Sequence, residues 1–272
     1  MRIKENVLLK PYTTFKIGGR ARFFTKVRTE QELIDTIKYA KNKKIPFFIL
    51  GGGSNILFSD NGFNGLVIKI EIRGIFFNKK WKNVQVIGGA GENWDFFVKK
   101  TVKAGFWGLE NLSYIPGTVG ATPIQNIGAY GREVGNLIDH VKVLDTNNFS
   151  IKKISNKDCK FGYRTSIFKN KKNNFVVLSV AFLLFQKPKR LLSYNDLKNY
   201  FEGRKENSIK IKEIRDAIIK IRRNKLPEVS KIGSVGSFFK NPIVGNHDLR
   251  RVCKIYSNIS FSKENKGKYK LS

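Results

Sequence analysis

The stretch Pro46-Phe47-Phe48-Ile49-Leu50-Gly51-Gly52-Gly53-Ser54-Asn55 decides the fold, because an apolar run typical of a strand ends there in three consecutive glycines. Glycine permits backbone torsions closed to other residues, and without a Cβ it lets neighbouring N–H groups converge on an anion. We therefore predict that Gly51, Gly52, Gly53, Ser54 and Asn55 form a cradle for a phosphate group. A tight turn between two strands, the second at Ile56–Phe58, is the alternative.

Two common phosphate-binding loops do not match this stretch. A P-loop ends in Gly-Lys-Ser or Gly-Lys-Thr, and neither triplet occurs at the glycines. The dinucleotide fingerprint G-x-G-x-x-G opens a helix, whereas Ile56–Phe58 reads as more strand. The predicted loop must therefore hold a phosphate in another way.

Length and composition indicate a soluble globular protein of two or three modest domains: 272 residues, 41% hydrophobic and 27% charged. No run approaches the roughly 18 apolar residues of a membrane helix. The N-terminus lacks the apolar core of a signal peptide. We predict a cytoplasmic protein that does not associate with membranes.

Cysteine and histidine usage argues against metal chemistry. Cys159 and Cys253 lie far apart and outside any C-x-x-C spacing, and His140 and His247 are isolated in sequence. We predict reduced, structural cysteines, no disulfide and no metal site.

The formal charge of +31 suggests a polyanionic partner. However, the lysines are spread from end to end, and no recognisable nucleic-acid-binding module accompanies them. We predict no specific nucleic-acid partner, although small anionic substrates would be attracted.

The chain before residue 71 predicts a small β-α-β-β unit. Phe23–Val27 reads as a strand, and Thr29 with Glu32 forms a capping box for the next helix. Leu33, Ile34, Ile37 and Ala40 give that helix its apolar stripe. The strand into the glycines and another at Leu66–Ile70 complete the unit.

Downstream, a strand at Val84–Ile87 precedes a helix that carries Trp94 and Phe97. The 21 positions from Asn111 through Gly131 then contain no charged residue. Prolines and glycines rule out a regular helix there, so the backbone groups of a buried loop need other partners. A bound planar cofactor would cover such a loop; an irregular crossing of the core is the alternative.

Five motifs occur in order, and together they carry a resemblance. They are Gly51-Gly52-Gly53-Ser54-Asn55, Ile115-Pro116-Gly117-Thr118-Val119-Gly120, Pro123-Ile124-Gln125-Asn126-Ile127-Gly128-Ala129-Tyr130-Gly131, Phe161-Gly162-Tyr163-Arg164 and Gly236-Ser237-Phe238-Phe239-Lys240-Asn241-Pro242. From about Leu9 to Ser272 the chain resembles the UDP-N-acetylenolpyruvoylglucosamine reductase (MurB) family of flavoenzymes.

The resemblance implies an α+β fold: a two-part FAD-binding fold, made of a small β-α-β-β unit (1–70) and a larger α+β domain (71–205), followed by an incomplete α+β substrate-binding domain (206–272). It implies a monomer that reduces UDP-N-acetylenolpyruvoylglucosamine to UDP-N-acetylmuramate in peptidoglycan synthesis, with FAD and NADPH. The implied cofactor-binding residues are the five of the glycine loop together with Ile115, Pro116, Gly117, Gly120, Ala121, Gln125, Asn126, Gly128 and Ala129.

For catalysis, the resemblance implies that Arg164 stabilises the enolate and that Ser237 donates the proton to C2. A planar guanidinium suits a carboxylate-stabilised enolate. A serine hydroxyl can donate only where nearby positive charge stabilises the alkoxide. Tyr194, Lys225 and Asn241 are implied to bind the sugar nucleotide.

The chain departs from the family pattern at Gly267–Ser272, where family members continue with Ala-Gly-Trp-Leu-Ile and a portion that supplies a catalytic glutamate. We therefore expect FAD binding to be retained better than turnover. Two further alternatives are another flavin oxidoreductase with a different substrate and an inactive flavin- or polyanion-binding remnant.

Overall fold

The structure of the protein is a computed structural model that describes residues 2–79, 81–170, 174–228, 231–236, 239–263 and 267–271. The chain forms two compact units, Met1–Val235 and Gly236–Ser272. Helices and strands are mixed in both units, which confirms the predicted α+β class. The predicted domain boundaries after residues 70 and 205 stay a prediction.

The first sheet has four strands: β1 Lys4–Leu8, β2 Arg20–Val27, β3 Phe47–Leu50 and β4 Phe63–Ile70. Their order is β1-β2-β4-β3; β4 pairs in parallel with β2 and β3, while β1 is antiparallel to β2. Parallel strands need a crossover, and α1 Glu30–Asn42 provides it between β2 and β3. The predicted β-α-β-β unit is therefore present, with β1 added at its edge.

The predicted start of α1 is confirmed in part. The Thr29 hydroxyl accepts the N–H of Glu32 at 3.1 Å, as an N-cap does. The Glu32 carboxylate, however, accepts the N–H of Arg28 rather than that of Thr29, so the capping box is not reciprocal. Leu33 and Ile37, on the inner face of α1, are fully buried.

The predicted strand at Ile56–Phe58 is wrong, because these residues have irregular backbone without ladder pairing. Phe58 is instead buried in a cluster with Leu9 and Leu50, and its ring meets that of Phe48 edge-on at 5.4 Å. Side-chain packing therefore holds this segment where a strand was expected.

The second sheet is entirely antiparallel, in the order β10-β9-β11-β6-β5. Its strands are β5 Ile75–Lys79, β6 Asn83–Gly89, β9 Ile138–Asp145, β10 Ile151–Ser155 and β11 Phe175–Phe185. The central strand β11 reads FVVLSVAFLLF, a nearly continuous apolar run, as expected for a strand covered on both faces.

Helix α2, Trp94–Lys103, places its apolar face in the main core. The rings of Trp94, Phe97 and Phe182 lie within 6 Å of one another, and all three side chains are fully buried. This packing fixes α2 against β11.

The remaining elements of the first unit are the hairpin strands β7 Gly128–Ala129 and β8 Arg132–Glu133, and the helices α3 Ile167–Asn170, α4 Asn195–Tyr200 and α5 Ile211–Lys225. Helices α4 and α5 share a second core that contains Trp107 and Tyr130. The second unit contains β12 Ile243–Val244, α6 Asn246–Ile255, β13 Phe261–Lys263 and β14 Tyr269–Leu271, with strand order β12-β14-β13.

Candidate functional site

The glycine loop begins where β3 ends, and its backbone is held from behind. Gly53 has φ +65°, and a Cβ there would lie 2.0 Å from the carbonyl oxygen of Tyr12, so only glycine fits. The N–H of Thr14 donates to the Gly53 carbonyl at 3.0 Å, and Lys69 Nζ donates to the Gly51 carbonyl at 2.9 Å. Two carbonyls of the loop, those of Gly51 and Gly53, are therefore bound by the protein.

The uncharged loop lies directly against the glycine loop. A Cβ on Gly52 would lie 2.7 Å from the Cα of Gly117, so the two backbones are in contact there. The Ser54 hydroxyl donates to the Pro116 carbonyl at 3.1 Å. A Cβ on Gly51 would lie 2.9 Å from the Thr118 hydroxyl. Two of the predicted cofactor loops therefore form one surface.

This surface carries N–H groups that have no acceptor among the described residues. In the described ranges, no protein acceptor takes the N–H groups of Gly52, Gly53, Ser54 and Asn55, nor those of Gly117 and Thr118. Consecutive amides of this kind bind anions, because each contributes a partial positive charge. They are groups that a dinucleotide pyrophosphate can accept from, so the residues present fit FAD.

Lys69 adds positive charge beneath the same loop. Burial lowers the pKa of its ammonium, and Glu71 opposes that effect. The side chain also lies over the Tyr12 ring at 5.9 Å. Lys69 therefore supports the loop backbone and brings a positive charge to it.

The other predicted cofactor residues divide into packing and polar positions. Gly120 contacts Ala90, since a Cβ on it would lie 2.5 Å from the Ala90 Cβ. Ile115 and Ala129 pack against the core, and Ala121 and Gln125 are half-buried. Whether these residues contact a cofactor stays a prediction.

Asn126 has its side chain engaged by the protein. Its Nδ2 donates to Glu133 at 2.8 Å and to the Gly162 carbonyl at 3.2 Å, and its Oδ1 accepts the N–H of Gly135 at 2.8 Å. The residue is buried and has φ +45°. Asn126 therefore joins the uncharged loop to the turn that carries Arg164.

Arg164 occupies a tight turn in which Gly162 and Thr165 exchange two backbone hydrogen bonds of 3.1 and 3.2 Å. Its φ of +54° is uncommon for a residue other than glycine, and such backbones cluster at functional sites. The guanidinium is half-buried and lies 3.4 Å from the Gly128 carbonyl. The structure therefore places the predicted catalytic arginine beside the β7–β8 hairpin.

The turn of the same hairpin touches one predicted substrate residue, Tyr194, and another, Lys225, is held nearby by Asp196. The rings of Tyr130 and Tyr194 meet edge-on at 5.2 Å. Lys225 Nζ binds both carboxylate oxygens of Asp196 at 2.6 and 2.7 Å, which raises the pKa of Lys225. Burial, and next Asp196, raise the pKa of Tyr130, while Arg222 and Lys225 oppose them.

Arg164, Tyr194 and Lys225 are thus brought to one side of the first unit, around the hairpin. Ser237 lies outside the described residues. Asn241 lies in the second unit, half-buried directly before Pro242.

The buried side chain of Asn111 supports the β7–β8 hairpin. Asn111 Nδ2 donates to the carbonyls of Tyr130 and Leu191, both at 2.9 Å. Within the described part of the chain, Glu110 Oε1, Asn111 Oδ1 and Arg132 Nε are buried without a partner. Burial raises the pKa of the Glu110 carboxyl, against the opposing effect of two backbone N–H groups and Arg132.

Sequence reasoning missed several residues that build this site: Thr14, Lys69, Asp95, Tyr130, Arg215 and Arg222. Tyr130 stands inside a quoted motif, so its position was a signal. The others act through partners far away along the chain, as Thr14 does with Gly53, and no local pattern marks them.

No helix among the described residues is long and apolar enough to cross a membrane. The same residues contain no group of three or more His, Cys, Asp or Glu side chains placed to hold a metal ion. Both cysteines are free thiols.

Comparison with known proteins agrees with the geometry. Residues 21–148 match the family model of an FAD binding domain. The UDP-N-acetylenolpyruvoylglucosamine reductase of Pseudomonas putida is 36% identical over 270 residues, which cover 99% of this chain and 79% of that protein. The reductase of that name from Buchnera aphidicola subsp. Baizongia pistaciae is 41% identical, with 97% and 78% covered.

A solved structure agrees as well. UDP-N-acetylenolpyruvylglucosamine reductase (MurB) from Thermus caldophilus superimposes with a TM-score of 0.65 at 27% identity, covering 89% of this chain and 76% of that one. The chain therefore belongs to the UDP-N-acetylenolpyruvoylglucosamine reductase (MurB) family.

Proposed function

We propose that this chain is an FAD-dependent oxidoreductase that reduces UDP-N-acetylenolpyruvoylglucosamine to UDP-N-acetylmuramate with NADPH, a step of peptidoglycan synthesis. The proposal follows from family membership and from one structural observation: the glycine loop and the Gly117–Thr118 segment meet, and both present N–H groups that no acceptor among the described residues takes. A cytoplasmic location and a monomeric state stay predictions.

FAD bound here would supply the hydride chemistry that couples NADPH oxidation to reduction at C3 of the enolpyruvyl group. The residues that would hold its pyrophosphate are Gly52 to Asn55, with Gly117 and Thr118. The N–H groups of Gly52 and Ser54 are held in place for an anion, since the carbonyls of Gly51 and Gly53, which share their peptide groups, are bound by Lys69 and Thr14.

Charge develops on the substrate during reduction, and Arg164 would stabilise it. Hydride addition at C3 leaves negative charge at C2, next to a carboxylate, and a proton then completes the reduction at C2. A guanidinium can bind the carboxylate oxygens with two parallel hydrogen bonds. The turn around Arg164 and the Gly128 carbonyl orient its side chain before substrate binds. Proton donation by Ser237 stays a prediction.

The substrate's diphosphate would be recognised near Lys225 and Tyr194. In the structure Lys225 is paired with Asp196, so its ammonium is positioned at the end of α5. The Tyr194 side chain is 47% exposed, and its ring rests on Tyr130. An exposed hydroxyl and a positioned cation suit the oxygens of a diphosphate.

The experiment is an anaerobic incubation of the purified 272-residue chain with FAD, NADPH and the enolpyruvyl sugar nucleotide, followed by mass spectrometry of the sugar nucleotide. The proposal predicts a product heavier by two hydrogen atoms. Arg164→Met should lower its rate of formation by about a hundredfold or more, as loss of a transition-state charge contact does.

Arg20→Met is the matched control, because Arg20 also donates to one backbone carbonyl, that of Asn6 at 2.7 Å, but lies in β2. Its rate should stay near that of the wild type. NADPH consumption without the reduced sugar nucleotide would contradict the proposal and favour a flavin-binding protein with another role.

A further inference from the structure

Two charged side chains bind the backbone of Tyr114, and a third holds one of them in place. Its N–H donates to Asp95 Oδ1, and its carbonyl accepts Arg222 Nε at 3.1 Å. Asp95 is in turn bound by both terminal nitrogens of Arg215, at 2.8 and 2.7 Å. Asp95 belongs to α2 and the two arginines to α5. Contacts from two helices thus converge on the backbone of one residue, on either side of its Cα.

Tyr114 needs such support because its backbone is strained. Its φ is +59°, in the left-handed region that aromatic residues rarely occupy. Holding a residue there costs on the order of 1 kcal/mol or more, so surrounding contacts must impose it. Charge-assisted and bidentate hydrogen bonds are strong enough for this purpose.

Tyr114, with its strained backbone, lies immediately before Ile115-Pro116-Gly117 of the predicted cofactor loop. Downstream, two backbone hydrogen bonds anchor that loop. The Gly117 carbonyl accepts the N–H of Trp94 at 3.1 Å, and the N–H of Val119 donates to the Glu92 carbonyl at 2.9 Å. Upstream, the loop is anchored at the N–H and the carbonyl of Tyr114. The segment between these anchors is Ile115-Pro116-Gly117, which meets the glycine loop.

We infer that Asp95, Arg215 and Arg222 are positioning residues for the cofactor: they fix Tyr114 in its left-handed conformation and thereby present Ile115–Gly117 to FAD. The inference rests on the proposed function, because it takes this loop to be part of the FAD site. None of the three needs to touch the cofactor.

The burial of the pair agrees with a positioning role. The side chain of Arg215 is 8% exposed and that of Asp95 is 29% exposed, so most of the interaction is shielded from solvent. A buried pair of this kind is a weak source of net stability, but it imposes one geometry. The Asp95–Arg215 pair therefore matters here for the geometry that it imposes.

The test measures FAD affinity by fluorescence titration and backbone order by hydrogen–deuterium exchange of the peptide spanning 113–118 in apoprotein. Asp95→Ala removes the acceptor of the Tyr114 N–H, and Arg215→Met removes the bidentate fork. Both should weaken FAD binding by about tenfold or more and speed exchange of that peptide. Asp95→Asn keeps one acceptor and should have a smaller effect.

Glu30→Gln is the matched control, since it breaks the ion pair of Glu30 in α1 with Lys142 in β9, a 2.6 Å contact of partly exposed side chains that belong to neither loop. FAD affinity should then change by less than about twofold. A rescue adds specificity: Tyr114→Gly in the Asp95→Ala background should recover FAD affinity, because glycine adopts positive φ unaided.

FAD affinity and exchange in Asp95→Ala that match the wild type would overturn the inference. If Asp95→Ala does not fold, Arg215→Lys decides, because it keeps the charge and loses the bidentate geometry. A wild-type chain that does not bind FAD would overturn the proposed function instead, and exchange in the apoprotein would still show whether the three residues order Tyr114.

Discussion

At the scale of single residues, the site depends on close backbone contacts that leave no room for side chains. Gly52 is the clearest case, because its absent Cβ is what lets the two cofactor loops meet. The sequence marked this position only as one of three glycines. Nothing local revealed that its neighbour would be Gly117.

We predict that Gly52→Ala weakens FAD binding by about tenfold or more, or about 1.4 kcal/mol. The added methyl would lie 2.7 Å from the Gly117 Cα, so one of the two loops must move. Gly245→Ala is the control, because a Cβ there meets nothing within 4 Å and its φ is ordinary. Equal FAD affinities in the two variants would show that the loop contact is not required.

The two thiols give a second prediction at this scale. Cys159 is fully buried, and burial raises its pKa to about 12, with Asp158 adding to the effect. The thiolate is the reactive form, so Cys159 should resist thiol reagents in the folded chain. Cys253 is partly exposed.

A disulfide reagent near pH 8 should therefore modify Cys253 alone in native protein, and both cysteines after denaturation. In Cys253→Ser the native chain should show no fast reaction. Rapid labelling of Cys159 in that variant would contradict its burial.

At the scale of elements, regular patterns were readable from sequence and long-range ones were not. The stripe of Leu33 and Ile37 predicted α1, and the apolar run before Gly51 predicted β3. The residues of β1 gave no such signal, because none of Lys4–Leu8 is buried in the sheet. Ile56–Phe58 misled because Ile56 and Phe58 pack into a core without forming a strand, while Leu57 is exposed.

The contact of α5 with the predicted cofactor loop could not be predicted from the sequence. Asp95 and Arg215 are 120 positions apart, and neither stands in a motif. By contrast, the glycine loop and the uncharged loop were visible because each is a contiguous stretch with an unusual composition. Sequence therefore marked these two segments, but not the contacts that hold them.

The α2–α5 pair has a pH signature. Burial acts to raise the pKa of Asp95, but hydrogen bonds from Arg215 and the Tyr114 N–H outweigh it, so this pKa lies below its ordinary value. A lowered folded-state pKa contributes stability that is present above the unfolded value, about 3.9, and is lost as pH falls through the folded value.

The free energy of unfolding of the wild type should therefore exceed that of Asp95→Asn by about 1–3 kcal/mol near neutral pH. The difference should shrink as pH falls below about 4. Denaturant unfolding at several pH values measures it. A difference that grows on acidification would contradict the direction of this pKa shift.

At the scale of the whole molecule, the first compact unit contains both cofactor loops and the arginine, tyrosine and lysine around the hairpin. Asn241 belongs to the second unit, Gly236–Ser272. We therefore predict that a fragment of residues 1–235 binds FAD with an affinity within about threefold of the full chain. It should form no UDP-N-acetylmuramate, because it lacks Ser237 and Asn241.

Circular dichroism of the fragment provides the control for folding. A folded fragment that fails to bind FAD would show that the first unit alone does not make the cofactor site. A fragment that turns over the sugar nucleotide would show that Ser237 and Asn241 are not needed.

The central claim is that this chain carries electrons from NADPH to an enolpyruvyl sugar nucleotide through FAD held on the two glycine-containing loops. The most direct test is anaerobic stopped-flow absorbance of the FAD-loaded 272-residue chain. NADPH should bleach the flavin band, and UDP-N-acetylenolpyruvoylglucosamine added next should restore it without oxygen. A band that NADPH fails to bleach, or that stays bleached when the sugar nucleotide is added, would contradict the claim.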